Sequence, residues 1–292
     1  MILNTDEKGD VMRIAAVVLS VFGVLLAAAG SAEENWLSPG WKKMVVVFEQ
    51  LPDTTAFVAL GSGFVVEHED NRFLVTTRGT AEQGGLFVRL GLRSRPGIPF
   101  RYSIDEMTRS TGLPWLVARD ADVAVIPLVL PVGGAHLSDS LDVLAVGTSS
   151  IRGWDSVQEG DDVYILGFPL AIGAGIHSRP VVRAGTIALK EREGEFLVDA
   201  NVHPGNTGGP VFLKLYEKSK RTDGRATGTA RAVVGILSAY VPYPRSSVST
   251  QTGRVTLTSE VNSGLVIVYS ADTITALLGD YVTRYDLAAV GR

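Results

Sequence analysis

Pro204-Gly205-Asn206-Thr207-Gly208-Gly209-Pro210-Val211 sets three glycines around a single hydroxyl-bearing residue. Glycines on both sides let the backbone turn tightly, so that successive N–H groups converge beside the Thr207 hydroxyl. Amides gathered in this way suit a negatively charged oxygen. Alone, the string also fits an ordinary turn, and its surroundings separate the two readings.

Upstream, Phe196-Leu197-Val198-Asp199-Ala200 reads as a strand entering the loop. Downstream come Val233-Val234-Gly235-Ile236-Leu237-Ser238 and Asn262-Ser263-Gly264-Leu265. Farther out, Gly61-Ser62-Gly63-Phe64-Val65-Val66, the polar turn His68-Glu69-Asp70-Asn71 and Phe73-Leu74-Val75-Thr76 make a hairpin pattern. Short apolar runs recur over 121–128, 162–167, 181–188, 195–200, 232–239 and 264–268, each bounded by Gly, Pro, Asn or Asp. Helical periodicity is nearly absent until 272–278, where Asp272 can cap a closing helix. Many short strands with regular turn signals predict an all-β sandwich or barrel.

The Pro204–Val211 string resembles the nucleophile loop of the trypsin-like serine protease family, with Thr207 standing where the family has serine. Gly167-Phe168-Pro169 and Pro180-Val181-Val182-Arg183-Ala184-Gly185 match the second barrel of its bacterial members, and Gly61 to Val66 opens the first. The resemblance runs in order from about Val45 to Leu278. It implies two six-stranded antiparallel β-barrels, the first over about 41–150 and the second over about 151–270. A short C-terminal helix over about 271–290 would follow.

Three positions carry this family's catalysis. Asp122, in Asp122-Val123-Ala124-Val125, fills the place of the acid. The general-base histidine should end a string that here reads Leu74-Val75-Thr76-Thr77-Arg78-Gly79, so Gly79 stands in its place. Only Asp122 of the triad is intact. The resemblance also assigns the oxyanion-hole amides to Gly205, Asn206 and Thr207, peptide pairing to Ser238-Ala239-Tyr240, and the base of the side-chain pocket to Asn201.

Glycine can neither take the nucleophile's proton nor return it to the leaving amine, and loss of the base in such a triad costs roughly a million-fold in turnover. The γ-methyl of Thr207 restricts χ1 and crowds a site shaped for serine. Threonine nucleophiles elsewhere use a terminal amine as base, which an internal Thr207 lacks. His203 belongs to the same loop as Thr207, whereas the acid and the lost base belong to the opposite barrel. It is therefore not expected to substitute. Asp122 is left to accept hydrogen bonds from Ser238 or backbone amides. Arg78, beside the lost base, reads as a solvated neighbour, with a new polar contact as the alternative.

The 292 residues are 46% hydrophobic and carry a formal charge of −4. That permits a substantial core and gives no concentrated basic face for nucleic acid. The absence of cysteine excludes disulfides, thiolate catalysis and cysteine-ligated zinc. His68, His136, His177 and His203 lack metal-ligand spacing, so neither a metal nor a cofactor is expected. Two polar segments, 216–231 and 242–259, read as exposed loops or hairpins.

Ile14 to Ala29 is an apolar run of about 16 residues, short against the roughly 20 of a spanning helix, and Gly30-Ser31-Ala32 follows as a small-residue exit. Residues 1–32 are read as a signal peptide, with a membrane anchor through 14–29 as the alternative. Residues 33–292 are read as the protease-like domain. Asp6, Glu7 and Asp10 are unusual ahead of such a run, whereas a start at Met12-Arg13 would supply the expected positive charge.

The sequence thus predicts an exported, periplasmic or secreted pseudoprotease that binds a peptide or protein ligand in the former substrate cleft. The alternative is a working or weak serine-type endopeptidase using Thr207 with a non-standard base. A purely structural exported protein is a third class.

Overall fold

The computed structural model describes residues 39–52, 56–94, 98–129, 141–174, 179–214 and 231–287. The proposed leader with its 14–29 run, His136, His177 and nearly all of the 216–231 segment lie outside the described residues. No helix among the described residues is long and apolar enough to cross a membrane.

Two sheets follow one another along the chain. The first contains β1 (Val45–Gln50), β2 (Val58–His68), β3 (Asn71–Thr76), β4 (Leu86–Gly91), β5 (Pro99–Ser103), β6 (Leu116–Val117), β7 (Ala124–Pro127) and β8 (Val146–Gly147). The second is a closed barrel of β9 (Asp162–Gly167), β10 (Val181–Arg192), β11 (Glu195–Asp199), β12 (Pro210–Lys214), β13 (Arg231–Val248) and β14 (Val255–Ser270). Four α-helices are interspersed among the described residues: α1 (Pro39–Lys42), α2 (Arg78–Ala81), α3 (Ile104–Thr111) and α4 (Ala271–Arg284).

The all-β expectation with a closing helix holds, and the second barrel has the expected six antiparallel strands. The first sheet differs in detail. It has eight strands in the order β5-β4-β1-β2-β3-β7-β6, and β8 joins β2 in parallel through Val66 opposite Val146. Its path is open between β5 and β6, where α3 connects them. Ile104 and Met107 of α3 are buried in the core, so side-chain packing covers a side that no hydrogen-bond ladder closes. The returning segment around Leu141 and Val143 packs into the same core.

Three apolar clusters hold the molecule together. One fills the first sheet around Phe48, Leu74 and Ile126. Another fills the closed barrel around Ile165, Phe196 and Val268. The third lies on the seam, where Phe64, Phe73 and Val75 of the first sheet meet Leu166, Phe168 and Phe212 of the second under α4. Burial of each such side chain stabilises by about 1.5–3 kcal/mol. Helix α4 presents Ile274, Leu277, Leu278 and Tyr281 to this seam, at the spacing of one helical face. The Tyr281 hydroxyl donates to the Pro114 carbonyl at 2.7 Å, pinning the C-terminal helix onto the first half, and burial pushes its pKa upward.

The cap of α4 is Ser270 rather than Asp272: the Ser270 hydroxyl accepts the Asp272 N–H. The Asp272 carboxylate instead accepts the Trp154 N–H at 2.7 Å and the Ser270 hydroxyl at 2.8 Å. It ties the helix start to the entry of the second barrel, a contact between residues far apart in sequence.

Candidate active site

The glycine loop crosses from β11 to β12 against the seam. Gly205 and Gly208 have φ of +95° and +83°, in the left-handed region that L side chains rarely adopt. A Cβ on Gly208 would collide with the Ser62 carbonyl, and one on Gly205 with the Phe168 carbonyl. The loop is fastened by Gly208 N–H to Leu237 O (2.7 Å), Leu237 N–H to Gly209 O (3.0 Å) and Gly209 N–H to Asn206 O (2.9 Å).

Ser62 is a residue that sequence reasoning passed over. Fully buried on β2, it donates its hydroxyl to Gly205 O at 2.6 Å and accepts the Phe168 N–H at 3.0 Å. Its own N–H donates to Thr207 O at 2.7 Å. One serine of the first sheet therefore holds the loop of the second from both ends. A signal existed in the flanking Gly61 and Gly63: a Cβ on Gly63 would strike Phe48, and one on Gly61 would press the Thr207 carbonyl at 3.1 Å.

Of the three amides assigned to an oxyanion hole, Asn206 does not serve, because its N–H is spent on His203 O at 3.0 Å. The N–H groups of Gly205 and Thr207 have no hydrogen-bond partner among the described residues. The Asn206 side chain is fully buried, with Oδ1 accepting the His203 N–H at 3.2 Å and Nδ2 without a partner among the described residues.

Gly79 sits in α2, whose start is capped by the Thr77 hydroxyl accepting the Thr80 N–H. Its N–H donates to Asp122 Oδ1 at 3.1 Å. Asp122 Oδ2 accepts the Ser238 hydroxyl at 2.6 Å. The structure therefore brings Gly79, Asp122 and Ser238 together, with the acid occupied by a backbone amide and a serine. Gly79 has room for a Cβ. A Cβ built there meets nothing within 4 Å.

Arg78 is no solvated neighbour. Its Nη2 donates to the carbonyls of Ala118 (2.8 Å), Arg119 (3.2 Å) and Ala121 (2.6 Å). It clamps the segment leading into Asp122 and so fixes the acid's position. Beside it opens a cleft of about 440 Å3, bordered by Gly79, Glu82, Asp120, Asp122 and Tyr269. The Tyr269 phenol is held protonated, its pKa raised by burial first and by the Glu195 carboxylate next.

The half-buried Thr207 hydroxyl makes no hydrogen bond among the described residues. Neither described histidine serves it: His68 faces Glu69 at the β2–β3 turn, and His203 engages through its backbone.

Asn201 is exposed between β11 and the glycine loop. The flanking backbone is pinned to β14 by Ala200 N–H to Gly264 O (2.9 Å) and Asn262 Nδ2 to Val202 O (2.8 Å). Ser238 lies in a bulge between the pairs Leu237–Val268 and Ala239–Ile267, which turns its hydroxyl toward Asp122. Ala239 is exposed and Tyr240 half-buried. Strand β12 pairs with β13 only as far as Ile236, so the edge of β13 beyond it is free of that neighbour. Among the described residues, no group of three or more histidine or carboxylate side chains could hold a metal ion.

Residues 61–216 match the family described as a trypsin-like peptidase domain. Among solved structures, an HtrA-type protease with a tripeptide is similar at 15% identity and TM-score 0.47, covering 82% of this chain and 60% of that one. A serine endoprotease from Yersinia pestis is similar at 16% identity and TM-score 0.46, covering 83% and 64%. The chain thus spans about three fifths of the length of those two, by the 60% and 64% covered. No curated protein matches.

Proposed function

Because the chain belongs to the trypsin-like peptidase domain family, we propose that its cleft binds an extended peptide or protein segment without cleaving it. The observation that carries this reading is Gly79. At the general-base position there is only a backbone N–H bonded to Asp122, and no imidazole bonds the Thr207 hydroxyl among the described residues. Without a base the hydroxyl stays protonated and weakly nucleophilic.

Binding asks less of the site than catalysis does. A peptide added as a strand needs backbone donors and acceptors on a free edge. Residues Ser238, Ala239 and Tyr240 offer that edge, Asn201 a polar floor, and the Gly205 and Thr207 amides a place for a carbonyl oxygen. Pro242 and Pro244 follow at once, and proline supplies no N–H to an added strand. The paired stretch is accordingly short, about three residues.

The reading includes export through the 1–32 segment. N-terminal sequencing of the mature protein from cell fractions tests that part, and a cytoplasmic protein retaining residues 1–32 would overturn it. The binding part is tested by panning the full chain against a peptide library with hydrolysis monitored in parallel. Peptides that bind, lose affinity on Tyr240→Pro and emerge uncut support it. Turnover abolished by Thr207→Ala overturns it in favour of a weak endopeptidase.

A further inference from the structure

Strand β10 enters the closed barrel beside the glycine loop. Its first residue, Val181, pairs with Gly167, and a Cβ on Gly167 would come within 3.0 Å of Asn206 Nδ2 in that loop. Two residues on, Arg183 stands opposite Ile165. Directly opposed residues of an antiparallel pair share a face, and Ile165 belongs to the cluster that fills the barrel. Arg183 therefore turns its side chain inward, at the end of the barrel where the glycine loop lies. The ladder from β10 to β11 ends at Thr186 opposite Asp199, yet the two chains stay close: a Cβ on Gly185 would meet that of Ala200 at 2.9 Å. Next after Ala200 come Asn201, exposed, and Val202, buried in the same interior. Tyr240, on the β13 edge, packs against that interior as well.

Nothing described neutralises Arg183. It is half-buried, its Nε is buried without a partner, and it makes no hydrogen bond or ion pair among the described residues. Asp199 stands opposite Thr186, which alternates to the other face of the sheet. Other arginines drawn out of water are satisfied: Arg89 and Arg101 share Glu49, and Arg78 has three carbonyls. Taking a guanidinium N–H from water without a partner costs free energy, which an incoming anion recovers. The planar fork of donors matches the two oxygens of a carboxylate.

We propose that Arg183 makes the cleft selective for an acidic side chain, so that an Asp or Glu of the bound peptide passes Asn201 and sets its carboxylate against the guanidinium. The inference rests on the reading of the cleft as a peptide site and adds the chemistry that this site selects. A peptide added along Ser238-Ala239-Tyr240 sends alternate side chains to one face of the sheet, and a single one of them entering the barrel end is enough.

Fluorescence anisotropy on the full chain tests this, with N-acetylated, C-amidated peptides carrying Glu, Gln or Lys at one position at a time. At one position Glu should bind roughly ten-fold or more tighter than Gln. Arg183→Gln should abolish that difference, and Arg183→Glu should favour Lys there, with circular dichroism as the folding control. The comparison of Glu with Gln on the native protein needs no variant. Peptides that bind with no position preferring Glu, or a preference unchanged in folded Arg183→Gln, overturn the inference and leave peptide binding standing. Preference for free-acid over amidated peptides, in place of an internal Glu, assigns the guanidinium to a chain terminus and overturns it too. Absence of binding by any peptide removes the peptide reading itself, and this inference with it.

Discussion

Gly79 donates its backbone N–H to Asp122 Oδ1 at 3.1 Å, while the space where its side chain would project is empty to 4 Å. Asp122 is thereby anchored to the start of α2. Ser238 completes the shell from the other barrel through Oδ2.

A Cβ at position 79 is therefore sterically allowed. Gly79→His with Thr207→Ser should give measurable hydrolysis of a generic protein substrate, and either change alone almost none, because triad members act as a unit. A four-variant cycle with circular dichroism as the folding control measures this. Strong activity from Thr207→Ser alone would reveal a base on another residue.

The native protein should not react with fluorophosphonate probes at Thr207. An unactivated hydroxyl without a base is a poor nucleophile, and the γ-methyl hinders its approach. Intact-mass spectrometry after prolonged incubation checks this, with Thr207→Ala as reference. The two proteins should remain equally unlabelled.

Neighbouring residues 78 and 79 should respond oppositely in stability. Arg78→Ala removes the donor to three carbonyls and should destabilise by roughly 2–3 kcal/mol, in the range for charged hydrogen bonds. Gly79→Ala enters open space in a short helix and should gain up to about 0.5–1 kcal/mol. Urea denaturation of the two variants separates them.

Gly208→Ala should be the most damaging change in the loop. It demands a left-handed φ of an L residue and drives a methyl into the Ser62 carbonyl. A loss of roughly 2 kcal/mol or more is expected from strain and displacement together. Loss of peptide binding should accompany it, since the Gly208 N–H bond to Leu237 O also sets the start of the β13 edge. Calorimetry and a binding assay on the same preparation test both.

The strand pattern and the glycine loop were legible in the sequence because each is local. Alternating apolar runs fix strands, Gly205 and Gly208 mark positive φ, and Gly79 announces a missing side chain by its identity alone. Single-position reading also placed Asp122 with Ser238, through resemblance to a family whose order of elements this chain keeps. What the sequence could not supply was anything set by residues meeting across the seam. Ser62 reads as one polar residue in a β-strand until the fold brings it to Gly205, 143 positions away. Arg78 reads as a surface charge until its guanidinium finds three carbonyls about 40 residues on. The Asn206 amide could be ruled out as an oxyanion donor only when its bond to His203 O was seen. Propensity and motif act through neighbours in the chain, whereas hydrogen-bond satisfaction and open space depend on distances that only packing fixes.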